Sequence, residues 1–168
     1  MTLATSLGSS GGATSGSYRA SASRSSALAC AACSAAKWTF VEAHSGEARA
    51  LLRDALARQE PIVAPPLLPS EVANIIRQRM RLGEVRLDEA RALLTQFLAL
   101  PITLQAPETL YDRALVLADR HNLPAVYDAH YVALAELLGA TLWTADQRLL
   151  RALSGRLPFV RWIADYGT

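Results

Sequence analysis

Residues 125–150, AVYDAHYVALAELLGATLWTADQRLL, restrict the fold more than any other stretch of the chain. Tyr127–Leu138 is apolar around nearly its whole circumference, and a helix of that kind is buried. Gly139 is placed to end it as a left-handed C′ residue. Ala140–Thr144 then reads as a short buried strand, and Arg148–Leu153 as a short helix. Two acids interrupt this apolar run. Asp128 falls in the first turn of the buried helix, and Asp146 just past the C-terminal end of the strand. A buried carboxylate is costly unless compensated, so each needs a partner, a proton or a metal.

The rest of the chain alternates in the same way. His44–Glu60 carries Ala48, Leu51, Leu52, Ala55 and Leu56 at helical spacing, with Ser45 near its start. Pro61 stops it, Ile62–Ala64 reads as a strand, and Pro65-Pro66 forces an extended connection. Ser70 is placed to cap a helix from Glu71 to about Leu82. Its apolar face is Val72, Ile75, Ile76 and Met80, and Glu71, Asn74 and Gln78 lie along one polar stripe. Gly83 stops that helix. Asp88–Leu100 is amphipathic through Ala92, Leu93, Phe97 and Leu98. Ile102–Leu104 reads as a strand and Glu108–Asn122 as a helix with Leu110, Ala114, Leu117 and Ala118 inward. Phe159–Ile163 is a last strand. Strands alternating with helices imply a parallel α/β sheet. Ligands of such sheets bind beyond the carboxyl ends of the strands. Asp146 lies at that edge, and the helix N-termini bearing Glu71 and Asp128 face it too.

Composition separates the N-terminus from the remainder. Residues 1–26 are Ser, Gly, Ala and Thr of low complexity, without the apolar content to fold. They are expected to be disordered, ahead of one domain over residues 27–168 whose first strand falls within 27–37. The acid-free, Arg- and Ser-containing start has the composition of a transit peptide, and equally that of a displaced start or reading frame. Net charge is +2, too little to argue for a basic nucleic-acid surface. Arg77, Arg79, Arg81 and Arg86 read as a solvated helix face, although such a run could contact RNA phosphate. Cys30 and Cys33 are spaced C-x-x-C but lack the context of a redox or metal motif, and the histidines have no ligand-like spacing. His44 and His121 read as surface residues. No apolar run approaches the ~18–20 residues of a membrane span.

Glu71, Asp128 and Asp146 admit two readings. Acids are favoured in first turns because they satisfy free N–H groups and offset the helix dipole. Each could be a cap and nothing more. Caps, however, need not converge. Carboxylates gathered at one sheet edge repel one another unless a cation lies between them, and hard oxygen ligands suit Mg²⁺ or Mn²⁺. Such a cluster can activate water for an in-line displacement at phosphorus.

Three segments, PPLLPSEVAN (65–74), YDAHYVALAE (127–136) and TADQRLL (144–150), in this order and separation, closely resemble PIN-domain proteins of the VapC toxin type. The resemblance covers about Lys37 to Tyr166. It implies a three-layer α/β/α fold with a short, mainly parallel sheet, and Mg²⁺-dependent (or Mn²⁺-dependent) endoribonuclease activity. It also implies an RNA substrate, a VapB-like antitoxin as partner, a homodimer, and a cytoplasmic location. Glu71 matches the family's helix acid, with Asn74 one turn along. Asp128 matches the acid of the Y-D-A motif, Asp146 that of T-A-D, and Thr144 the polar residue before it. These three acids are thereby the implied metal ligands and catalytic residues. Lys37-Trp38 matches the K-W that follows the family's first strand.

The family's first acid has no counterpart. Its position falls on Ala31, or on Ala32 with a one-residue gap, and no acid precedes Glu42. Two readings follow: a VapC-type ribonuclease impaired by that absence, or a catalytically degenerate PIN-like module that keeps antitoxin or partner binding. A phospho-acceptor receiver shares the α/β layout but needs a C-terminal lysine, and the single lysine here is Lys37.

Overall fold

The computed structural model describes residues 28–30, 37, 43–153 and 155–167. The low-complexity residues 1–26 lie outside them, as do Ala31, Ala32 and Cys33. The elements in order are β1 (Leu28–Cys30), α1 (Ser45–Arg58), β2 (Ile62–Ala64), α2 (Leu68–Arg81), α3 (Leu87–Leu98) and β3 (Ile102–Leu104). They continue with α4 (Leu110–Arg120), α5 (Val126–Leu138), β4 (Thr141–Thr144), α6 (Gln147–Leu153), β5 (Val160–Trp162) and a 3₁₀ turn at Ile163–Asp165.

The five strands form one parallel sheet in the order β3-β2-β1-β4-β5. β1 is central, with Leu28 opposite both Ile62 and Thr141, and Cys30 opposite Trp143. From β1 the chain runs outward through β2 and β3, then returns to the other side as β4 and β5. The order reverses between β1 and β4, and a crevice opens beyond the strand ends at such a point.

Adjacent strand residues point to opposite faces, and the cores show it. Val63 and Leu142 belong to a large apolar cluster with α2, α4 and α5, including Val72, Leu117 and Leu134. Their neighbours Ile62 and Trp143 pack instead with Ala48, Leu51 and Ala55 of α1 and with Ile163. The layers are therefore helix, sheet, helix, as expected. In α5, Ala129 to Ala135 are all buried, and Gly139 ends the helix in the left-handed region at φ 63°. Arg113 and Glu136 join α4 to α5 through two hydrogen bonds of 2.5 and 2.7 Å.

Three local expectations need correction. α2 starts at Leu68, before Ser70, which is exposed and caps nothing among the described residues. Pro69 in the first turn supplies a pre-set φ and needs no N–H partner, which lets the helix begin earlier. In α3 the buried residues are Ala90 and Phe97, whereas Ala92 and Leu98 are exposed. α3 packs mainly on α2 at the border of the fold, so only a narrow stripe of it meets the core. His121 is buried rather than at the surface, and neither ring nitrogen has a hydrogen-bond partner among the described residues.

Candidate active site

Each of the three acids is delivered by a different element. Glu71 stands at the end of the first turn of α2, where its own backbone N–H already bonds to the Leu67 carbonyl at 3.1 Å. Its carboxylate accepts no first-turn N–H among the described residues. It accepts instead a hydrogen bond from the Tyr131 hydroxyl, sixty residues away on α5. Tyr131 is itself almost fully buried, so the contact pins Glu71 against the core. Asp128, in the first turn of α5, has neither a hydrogen bond nor an ion pair among the described residues, and is half-buried.

Asp146 does act as a cap. Its Oδ1 accepts the backbone N–H groups of Arg148 at 2.7 Å and Leu149 at 3.2 Å, which start α6. Its own N–H donates to the hydroxyl of fully buried Thr144 at 3.0 Å. The side chain is therefore held at the carboxyl end of β4 by contacts on both sides. Its Oδ2 takes no hydrogen bond among the described residues. The cap reading holds for one oxygen of one acid.

Electrostatics link the three. Burial raises the Asp128 pKa above the usual carboxylate value, and the Asp146 charge adds to the rise. Burial likewise raises Glu71; the Tyr131 hydrogen bond opposes the rise and the Asp128 charge reinforces it. Asp128 is the middle member, coupled to an acid on either side. Burial plus like charge is the pattern of a site that favours a proton or a cation between its carboxylates. The donors, all carboxylate oxygens, fit a hard divalent cation in kind. In geometry they fall short of a closed cage: among the described residues no three His, Cys, Asp or Glu groups stand as a ligand set. The β1 segment ends at Cys30, opposite Trp143 and one step before the level of Thr144. The positions of the absent family acid, Ala31 and Ala32, follow directly in the sequence, outside the described residues.

The remaining candidates separate cleanly. Asn74 is exposed one turn beyond Glu71 on α2. His130 turns away from the acids, with Nδ1 2.8 Å from the Val126 carbonyl and its ring edge-to-face with Tyr111 at 5.3 Å. Arg77, Arg81 and Arg86 are exposed, and Arg79 pairs with Glu84 at 2.7 Å, as a solvated face would be. The residue missed from sequence is Tyr131. Its signal was present: three residues after Asp128 on a helix, it shares the face of that acid.

Comparison with known proteins identifies relatives of this chain. The PIN-domain profile matches residues 39–153. Ribonuclease VapC9 of Mycobacterium tuberculosis (strain ATCC 25618 / H37Rv) is 45% identical over 107 residues, covering 60% of this chain and 80% of the relative. Ribonuclease VapC3 of Pyrobaculum aerophilum is 39% identical over 99 residues, covering 56% and 73%. Ribonuclease VapC1 of M. tuberculosis (strain ATCC 25618 / H37Rv) is 35% identical over 118 residues, covering 67% and 84%.

Proposed function

The chain belongs to the PIN-domain family, and from that premise we propose that it is a VapC-type endoribonuclease working through Glu71, Asp128 and Asp146. The observation that carries this is the placement of the acids: the Tyr131 hydroxyl ties Glu71 to α5, the helix whose first turn bears Asp128, and Asp146 stands just past the carboxyl end of β4. Only one of the six carboxylate oxygens is committed to capping.

Mg²⁺ or Mn²⁺ would be held by these acids and would supply charge stabilisation and an activated water at the scissile phosphate. The chain's own part is positioning. Tyr131 fixes Glu71 through its hydroxyl. Thr144 fixes the backbone of Asp146, and α6 fixes its Oδ1, leaving Oδ2 for a ligand. Asp128 supplies a half-buried carboxylate with no competing partner among the described residues. Asn74, one turn from Glu71, is a further polar contact for substrate. RNA is the substrate in this reading, and a VapB-like antitoxin the protein partner. Exposed Tyr111 and Leu115, one turn apart on α4, are apolar surface that homodimerisation would cover. No helix among the described residues is long and apolar enough to cross a membrane; action in the cytoplasm is part of this reading.

The test is cleavage of RNA with Mg²⁺ or Mn²⁺ and with EDTA, beside Asp128→Asn. Cleavage that needs the cation and is lost in the variant supports the proposal; equal cleavage by the variant removes it. A second reading is favoured by one specific observation, alanine at 31 and 32 where the family has an acid. It holds that the domain has lost cleavage and retains partner binding. Under that reading the parent is inactive, and Ala31→Asp or Ala32→Asp restores cation-dependent cleavage.

A further inference from the structure

An open cleft of about 460 Å³ is lined in part by Asp146. Its lining includes Lys37, His44, Asp146, Arg148, Arg151 and Trp162. Three features mark it as built for a particular chemistry. First, among the described residues two arginine guanidiniums, Arg148 and Arg151, line the cleft beside the one carboxylate, Asp146. Second, Arg148 and Arg151 stand at i and i+3, adjacent on one face of α6, both exposed. Among the described residues neither guanidinium has an ion-pair partner, in contrast to Arg79 and Arg113. Third, an aromatic ring joins them: half-buried Trp162, set edge-to-face against His44 with centroids 5.4 Å apart.

Guanidinium pairs recognise phosphate, and aromatic rings give bases a stacking surface. The volume lies within the usual range for small-molecule sites, roughly 300–1,000 Å³. Asp146 belongs to both the cleft and the acid cluster, so the two share an edge.

Resting on the ribonuclease reading above, we propose that this cleft is the subsite for the nucleotide flanking the scissile bond. Arg148 and Arg151 hold its phosphates, and Trp162 takes its base. Stacking on Trp162 requires that this base be out of a duplex.

The experiment is binding of a labelled single-stranded RNA oligonucleotide in EDTA, where no cleavage occurs, measured by fluorescence anisotropy across salt concentrations. Each phosphate contact on a single strand contributes about 0.7 to the slope of log affinity against log salt. Arg148→Ala with Arg151→Ala should lower that slope by about 1.4. The same charge change on α2, Arg77→Ala with Arg81→Ala, should leave it in place. Trp162→Ala should weaken binding roughly tenfold, with Trp162→Phe close to the parent, and far-UV circular dichroism confirms that each variant is folded. An unchanged slope in the α6 pair, or an equal drop in the α2 pair, overturns the subsite. The nuclease reading then stands or falls separately on Asp128→Asn cleavage. A parent that binds no RNA at low salt overturns the subsite, and if it also fails to cleave, the nuclease reading goes with it.

Discussion

Replacing Asp146 separates the two jobs this residue holds. As a cap, its Oδ1 accepts two N–H groups of α6. Loss of such a cap costs about 1 kcal/mol, while asparagine and serine cap as well as aspartate. For a chain of this size, 168 residues, that corresponds to roughly 2–4 °C in thermal midpoint. Asp146→Ala should fall by that amount. Asp146→Asn should not fall, and removing the charge also relieves Asp128, whose pKa it raises. As a cation ligand, Asp146 works through its charge, which both variants remove. Groups one shell out from a metal already change affinity or activity 10–100-fold, so a direct ligand should cost about 100-fold or more in RNA cleavage. The two variants should thus be equally inactive but unequally stable. The assays are differential scanning fluorimetry and single-turnover cleavage of labelled RNA with Mg²⁺. If Asp146→Asn cleaves within about threefold of the parent while Asp146→Ala loses its midpoint, Asp146 is a cap alone and the site loses a corner.

Other outcomes follow from the same structure. Glu71 and Asp128 have folded pKa values above their unfolded ones. Their contribution to stability is full below the unfolded values near 4 and is lost as pH rises through the folded ones. In EDTA the midpoint should therefore decline across that interval, Glu71→Gln with Asp128→Asn should flatten the decline, and added Mg²⁺ at pH 7 should raise the parent alone. A parent midpoint indifferent to the double substitution would refute the repulsion. His121 has the opposite sign: burial first, then the Arg156 and Arg120 charges, lower its pKa. Its neutral form suits the fold, so stability is lost as pH falls below about 6.5. His121→Leu should remove that loss and gain about 1–3 kcal/mol by replacing two buried, unpartnered nitrogens, measurable by urea denaturation at pH 5.5 and 7.5. Tyr131→Phe should leave the fold intact but let the Glu71 pKa rise further, since the hydroxyl bond opposes the rise. The pH at which cleavage reaches half its maximum should move upward, and an unmoved profile argues against Glu71 in the reaction.

Much of the architecture was legible in the chain because its signals are local. The all-apolar circumference of residues 127–138 specified a buried helix, Gly139 its left-handed end, and the prolines at 61, 65, 66 and 101 the breaks between elements. Periodicity is a property of near neighbours, so it survives without knowledge of the fold. It failed at α3, where Leu98 is exposed, because helical spacing shows that a face exists but not how much of it the rest of the protein covers. It failed at His121 for the converse reason, since neighbours brought in from elsewhere bury it. The three acids could be picked out by position at element ends, and their likeness to a family gave them roles. Whether each was a cap or a site could not be read there, because that depends on where the hydrogen bonds go. Only the folded chain decided that Glu71 is held by Tyr131 across sixty residues, that Asp128 lacks a partner among the described residues, and that Asp146 spends one oxygen on α6. The cleft is of the same kind: it joins Arg148, Arg151 and Trp162 to His44, which lies before α1 at the other end of the described chain, and distance in sequence carries no record of proximity in space.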